Sequence, residues 1–562
     1  MDSPDQGTNA RFEELASAAL DELLALSPEW ASSLGDHRFE ARLTDASEAG
    51  RAQRSRAVTR MLSDLDAVDD TKLSSANLVD AEILRDALVA DQFETERLRE
   101  FSWNPLVGNP GSAVYQLTAR DYAPLEQRLE SLASRLRQIP DALRDARESL
   151  GEMPHVHVET AVGQFSGTIH LLGSEVPALA ATATELADDF EASRLAAIEA
   201  LEAHREWLES ELDSAHRDPR LGAELYAAKL WMTMNFAMSP DDLLSQAESD
   251  LERIEEELLR TSAELTGESP DAHGLVARTL RRLADEAPVT DATVLPLCEE
   301  ALETTTAFVL EHDLVTVFDD PVSIIEMPEI HRGVAVAYCD PPGPLETAAL
   351  PTFFAVSPTP TDWSADRVAS FYREYNGHLL HNLTVHEAMP GHVLQLAHSR
   401  RMSASTRVRD AFWSGPFVEG WAVYAEELMA DRGYRGSDNL ALRMHQLKMQ
   451  LRMIINTILD IRVHCREMSE AEAMDLMMRR GHQEEGEAAG KWRRALLTST
   501  QLSTYYVGHL GVRRISDDLR SRHPQWSDRA LHDAMLAHGS PPVRHLRTLL
   551  DLPAVSGERA ET

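Results

Sequence analysis

A chain of 562 residues that is 43% hydrophobic can bury a substantial core, and its formal charge of −39 argues against nucleic acid and anionic membrane surfaces as partners. No stretch approaches the roughly 20 uncharged apolar residues of a membrane helix. The polar, acidic start lacks the basic and apolar segments of a signal peptide, so the expected setting is the cytoplasm. Cys298, Cys339 and Cys465 are far apart and odd in number, which fits reduced thiols rather than a disulfide framework or a thiolate metal site.

Along the chain, residues 11–27, 125–150, 188–215, 239–266 and 438–468 repeat apolar side chains at i, i+3, i+4 and i+7 and predict helices. Ser239 before Pro240, Asp241 and Asp242 predicts an N-cap with acids on the helix dipole. Ser469 with Glu472 predicts a capping box, and Gly539, ahead of Pro541 and Pro542, a C-terminal cap. Met444, Met449, Met453 and Met468 read as a core stripe. Between 321 and 356 the pattern changes: VSIIEM, RGVAVAYC and PTFFAV predict three short strands joined by Pro/Gly-rich turns. A helical pattern resumes at Ser364. The first few and last ten or so residues read as disordered. The expected fold is mainly α, with a small sheet beside the active-site helix. Residues 1–290 form a helical N-terminal part and 291–562 a catalytic part; that boundary is soft and allows one compact unit.

The segment His386-Glu387-Ala388-Met389-Pro390-Gly391-His392 carries the chemistry. In an HExxH helix, histidines at i and i+4 share a face and grip one zinc, and the intervening Glu deprotonates water. Here the second histidine comes at i+6, which on an unbroken helix means about 120° of rotation and about 9 Å of rise. Side chains so placed cannot share a metal with bonds of about 2.0–2.1 Å. Pro390, however, cannot donate to the carbonyl of His386 and clashes with it, so the helix must deform there. Gly391 can adopt backbone angles closed to other residues. A bulge absorbing two residues would return His392 to an i+4 position. A third ligand is required. Glu419 opens a new helical pattern 27 residues after His392, and Glu426, two turns later on the same face, is its rival or a support for a ligand histidine. The expectation is one zinc on His386, His392 and Glu419, with Glu387 as general base; Mn, Co or Ni could substitute. His378, His381 and His398 read as polar packing or supporting groups.

HEAMPGH followed by EGWAVYAEE resembles the uncharacterised bacterial family known as domain of unknown function 885, and the likeness runs from Trp103-Asn104-Pro105 to the Gly539-Ser540-Pro541-Pro542 stretch. That family is similar in turn to the gluzincin metallopeptidases, which include thimet oligopeptidase, angiotensin-converting enzyme and carboxypeptidase Taq. Dipeptidyl peptidase III carries one inserted residue in its motif and still binds zinc; this chain has two. The resemblance implies a large helical, deep-cleft, zincin-like fold in which the strand at 351–356 pairs with an extended peptide. It also implies a downstream group that stabilises the oxyanion. Gln501, Tyr505 and Gly508 match the family's Gln-x-x-x-Tyr-x-x-Gly pattern, making Tyr505 the choice, with Tyr506 and His509 as substitutes near the substrate. Arg513 and Arg514 could clamp a carboxylate or lie solvated. The expected activity is zinc-dependent hydrolysis of a short peptide or small amide. A zinc amidase or esterase on a non-peptide substrate, and a non-catalytic scaffold with a degenerate site, are the alternatives.

Overall fold

The periodic segments fold as the helices Gln6–Leu26, Leu125–Ser149, Phe190–Glu211, Pro240–Thr266 and Leu440–Arg466 in the computed structural model, which describes residues 5–554 apart from 187, 237, 328–335, 361–362 and 437–438. Expected disorder at 1–4 and 555–562, residues 332–335 of the second strand segment, and the start of the last helix at 438 lie outside the described residues. The caps follow their chemistry. Ser239 Oγ accepts from the Asp242 amide, Ser469 and Glu472 form a reciprocal capping box, and Gly539 takes a φ of 77° beyond Asp528–Leu536. Met444, Met453 and Met468 are buried. The fold is mainly α.

Three strands make one sheet: β1 (Val322–Glu326), β2 (Ala337–Asp340) and β3 (Thr352–Val356), in the order β1-β3-β2. β3 runs parallel to β1, with Val322 opposite Thr352, and antiparallel to β2, with Ala337 opposite Val356. This corrects one expectation. The strand at 351–356 is central, its backbone engaged on both sides, so it offers no edge to a peptide; β2 is the strand that reaches the motif helix.

The chain divides into two compact units, one of Met1–Pro219, Pro342–Leu350 and Ala404–Phe412, the other of Arg220–Pro341, Pro351–Ser403 and Trp413–Thr562. The division falls at 219/220 rather than near 290. Its cause is the stripe Leu243, Ala247, Leu251, Ile254 and Leu258 on Pro240–Thr266, which shares a core with Leu447, Leu451, Ile454 and Ile458 of Leu440–Arg466. In the first unit, the inserted segment 404–412 is tied by a buried Arg409–Asp80 pair at 2.7 Å.

All candidate site residues belong to the second unit. There the helices Gly415–Asp431 and Thr504–Arg522 cross backbone to backbone at Gly420 and Gly508. A Cβ on Gly508 would stand 1.8 Å from the Pro416 carbonyl oxygen and 3.0 Å from Gly420 Cα, so the crossing admits no side chain. Gly508→Ala should therefore lower the thermal midpoint, costing about 1–3 kcal/mol or more through overpacking; an unchanged midpoint would mean that the helices do not touch there.

Candidate metal centre

Asn376 caps the motif helix Gly377–Glu387 by accepting from the His378 and Leu379 amides. The helix stops at Glu387, and a second one, His392–Ser399, begins at the second histidine. Between them the hydrogen-bond ladder slips. The Ala388 amide bonds to Thr384 O four residues back (2.9 Å) and Met389 to the same oxygen five back (3.2 Å). Gly391 then bonds to Val385 O, six residues back, at 3.0 Å. Two residues have left the helical count, the deformation that the proline demands and His392 needs. The Met389–Pro390 peptide is cis. Gly391 has φ −72° and ψ −133°, a pair outside the helical and extended regions that other residues occupy, as expected. Space sets a second requirement: a Cβ would lie 1.9 Å from His386 O and 2.3 Å from Val385 O. Trp421, fully buried, donates its Nε1–H to Pro390 O at 2.8 Å and ties the break to the helix carrying Glu419.

The break sets the His386 and His392 rings 4.8 Å apart at 87°. One ligand atom each from His386, His392 and Glu419 lies within 4.8 Å of the others. Glu419 Oε2 is 3.4 Å from His386 Nε2 and 3.5 Å from His392 Nε2. These spacings match a tetrahedron's edge, about 3.3 Å for bonds of about 2.0–2.1 Å. Glu419 Oε2 is buried and has no hydrogen-bond partner among the described residues. Two imidazoles and one carboxylate are the donor set that zinc takes with a position left for water. Burial works to raise the Glu419 carboxyl, but the two imidazoles beside it prevail and hold it below the ordinary range.

Glu426 stands behind His386. Its Oε1 accepts from His386 Nδ1 at 2.7 Å, and its Oε2 accepts from Asn382 Nδ2 at 2.5 Å. This fixes the tautomer that presents Nε2 to a metal. Glu387 accepts from the Cys339 amide of β2 at 3.0 Å, which orients its carboxylate. Burial raises the Glu387 carboxyl above its ordinary value, against the pull of both histidines.

Tyr505 opens the helix Thr504–Arg522 with its ring centroid 6.5 Å from that of His386. Burial and the charge of Glu419 raise its phenol, so it stays a donor. Its two substitutes are elsewhere. Tyr506, about 100° further round the helix, sits in the core and donates to Asp250 Oδ2 at 2.5 Å. His509 Nε2 is taken by Glu427 Oε2 at 2.9 Å. Arg513, exposed, also pairs with Glu427, and Arg514 is exposed. His378 stacks on His445, His381 bonds to Tyr434 and Arg435, and His398 to Thr316 O: polar packing, as expected. Sequence reasoning missed Asn382, Trp421 and the Cys339 amide. Only Asn382 carried a signal, being one turn before His386.

The profile of a family described as bacterial protein of unknown function (DUF885) matches residues 28–550. The chain belongs to that family. A proposed lipoprotein of unknown function from Shewanella oneidensis has a solved structure similar to this one, with a TM-score of 0.81 and 28% identity over 96% of this chain and 99% of that one. A second proposed lipoprotein, from Colwellia psychrerythraea, shares the fold at 14% identity, with a TM-score of 0.78 over 97% of this chain and 98% of its own. No curated protein matches the chain. The Glu426 carboxylate, bonded to His386 Nδ1, yields a test of the centre. Glu426→Gln should weaken zinc binding by about 10–100-fold, read by competition with a chromophoric chelator; unchanged affinity would separate Glu426 from the metal.

Proposed function

We propose that the chain is a zinc-dependent hydrolase that cleaves short peptides. The observation that carries the reading is the convergence of His386 Nε2, His392 Nε2 and Glu419 Oε2 beside a buried glutamate whose carboxyl is raised. When bound, zinc supplies a Lewis acid that polarises an acyl oxygen and makes water more acidic. Glu387, held by the Cys339 amide, takes the proton from water at its carboxylate and hands it to the leaving amine. Tyr505 donates from Oη to the oxygen on which charge develops. Glu426, through His386 Nδ1, offsets charge passed to that imidazole. On this reading the fold is zincin-like, and the likeness to gluzincin peptidases is one of mechanism.

An amide, of which a peptide is the class proposed, is favoured over an ester because its nitrogen needs the proton that Glu387 can return. The lipoprotein descriptions of the two structural relatives favour an extracytoplasmic setting over the cytoplasm expected from the sequence; fractionation of cells carrying a tagged chain separates the two.

Protein purified without chelator should hold about one zinc, and Glu387→Gln should keep the metal while losing about 10²–10⁴-fold in turnover. His386→Ala should lose both. Tyr505→Phe should lower kcat more than it raises KM. Less than half an equivalent of metal would leave a scaffold, and turnover of small amides or esters without any peptide would leave the amidase.

A further inference from the structure

Only four lysines occur in the chain, Lys72, Lys229, Lys448 and Lys491, and acidic residues outnumber basic ones by 93 to 54. A buried cation in such a protein should find a carboxylate. Lys448 does, meeting Glu374 at 2.9 Å, and Arg452 lies against both Glu487 and Glu374. Lys491 does not. It is only 9% exposed, on the inner face of the helix Glu485–Leu497, yet no acceptor among the described residues bonds its ammonium. Among the described residues Arg494, one turn on, bonds only neutral oxygens: Gln501 Oε1 at 2.7 Å and Tyr505 Oη at 3.5 Å. Through Tyr505 this pair adjoins His386, and Lys491 is close enough to Glu374, already paired with Lys448, and to Glu419 to feel their charges. An ammonium left unpaired in a buried position is costly, and proteins keep such groups where a ligand completes them.

Resting on the hydrolase reading, we propose that Lys491 and Arg494 form a subsite for a carboxylate of the substrate, next to the metal centre. Arg494 offers its planar fork and Lys491 a point charge, a combination that suits a carboxylate arriving with its shell of water removed. Tyr505 then stands between the anion subsite and the reacting carbonyl. The carboxylate comes either from the free C-terminus of the peptide, which makes the enzyme a carboxypeptidase or dipeptidase, or from an Asp or Glu side chain. Burial and the neighbouring Arg452 and Arg494 push the Lys491 ammonium well below its ordinary range, and a docked carboxylate reverses that push.

Calorimetry on the zinc-loaded Glu387→Gln protein, which binds without turnover, tests the subsite with three probes: N-acetyl-Ala-Ala-Ala, its C-terminal amide, and N-acetyl-Ala-Glu-Ala amide. Binding of the free acid, or of the acidic amide, should exceed that of the neutral amide by about 30-fold or more. Which of the two gains names the source of the carboxylate. Lys491→Met should abolish that gain, keep the neutral amide's affinity and the metal, and raise the thermal midpoint; Lys491→Arg should keep most of the gain. Equal affinity for all three probes, or an equal loss for all in Lys491→Met, overturns the subsite while leaving the hydrolase intact. If wild-type protein turns over no peptide, the hydrolase reading fails on its own. Succinate binding then still reads the subsite: binding that Lys491→Met removes supports it, and no binding refutes it.

Discussion

One backbone hydrogen bond governs the candidate centre: the Gly391 amide on the carbonyl of Val385, six residues back. A regular helix rotates about 100° per residue, so six residues leave the second histidine about 120° from the first, and removing two from the count leaves about 40°. The slip lies after Glu387 and leaves the relation between His386 and Glu387 untouched. Pro390 makes the slip unavoidable and Gly391 makes it sterically open. Trp421 then spends its indole N–H on the Pro390 carbonyl, which would otherwise be a buried acceptor without a partner. The same indole belongs to the helix of Glu419, so the bond that satisfies the break also aligns the third member of the cluster.

A second constraint acts on the same helix, one residue before Trp421. Gly420 and Gly508 bring two backbones together where no side chain fits, and the residues flanking the crossing are Glu419 and, one turn before Gly508, Tyr505. A carboxylate and a phenol from distant parts of the chain thus reach His386 by one packing contact. Backbone contact suits this task, since a crossing without intervening side chains leaves little freedom in distance or rotation.

Helices were legible because periodicity and caps are local properties, and the ends of Pro240–Thr266 and Leu440–Arg466 fall within two residues of the expected ones. The motif was legible because its residue types have few other uses in that order. What remained hidden was relational. β3 reads as a strand from its own residues, but its central place depends on β1 and β2, which its sequence does not encode. Tyr505 and Tyr506 are indistinguishable until the facing helix sets the phase, and then the second becomes a core residue bonded to Asp250. The division at 219 follows from a helix pair separated by about two hundred residues of chain, a contact no local pattern reports. Gly391 was legible through its backbone angles, while the close approach it also permits leaves no mark in sequence beyond the glycine itself.

The charges around the centre are laid out with a direction. Glu387, Glu419 and Glu426 gather about two imidazoles, so this side is negative unless protons or a cation offset it. His386 responds as a cation-deficient site must: burial disfavours its charged form, yet Glu419 and Glu426 prevail and raise it well above the ordinary range. A divalent ion does the same compensating work with two charges at the point where three donor atoms already converge. Arg494, bonded to Tyr505, and Lys491 one turn before it are paired with no carboxylate among the described residues. A substrate with an electrophilic carbonyl at one end and an anion at the other would meet a complementary field along its length. Since the enclosing protein is strongly negative, that local reversal is what would let an anionic substrate settle here rather than be turned away.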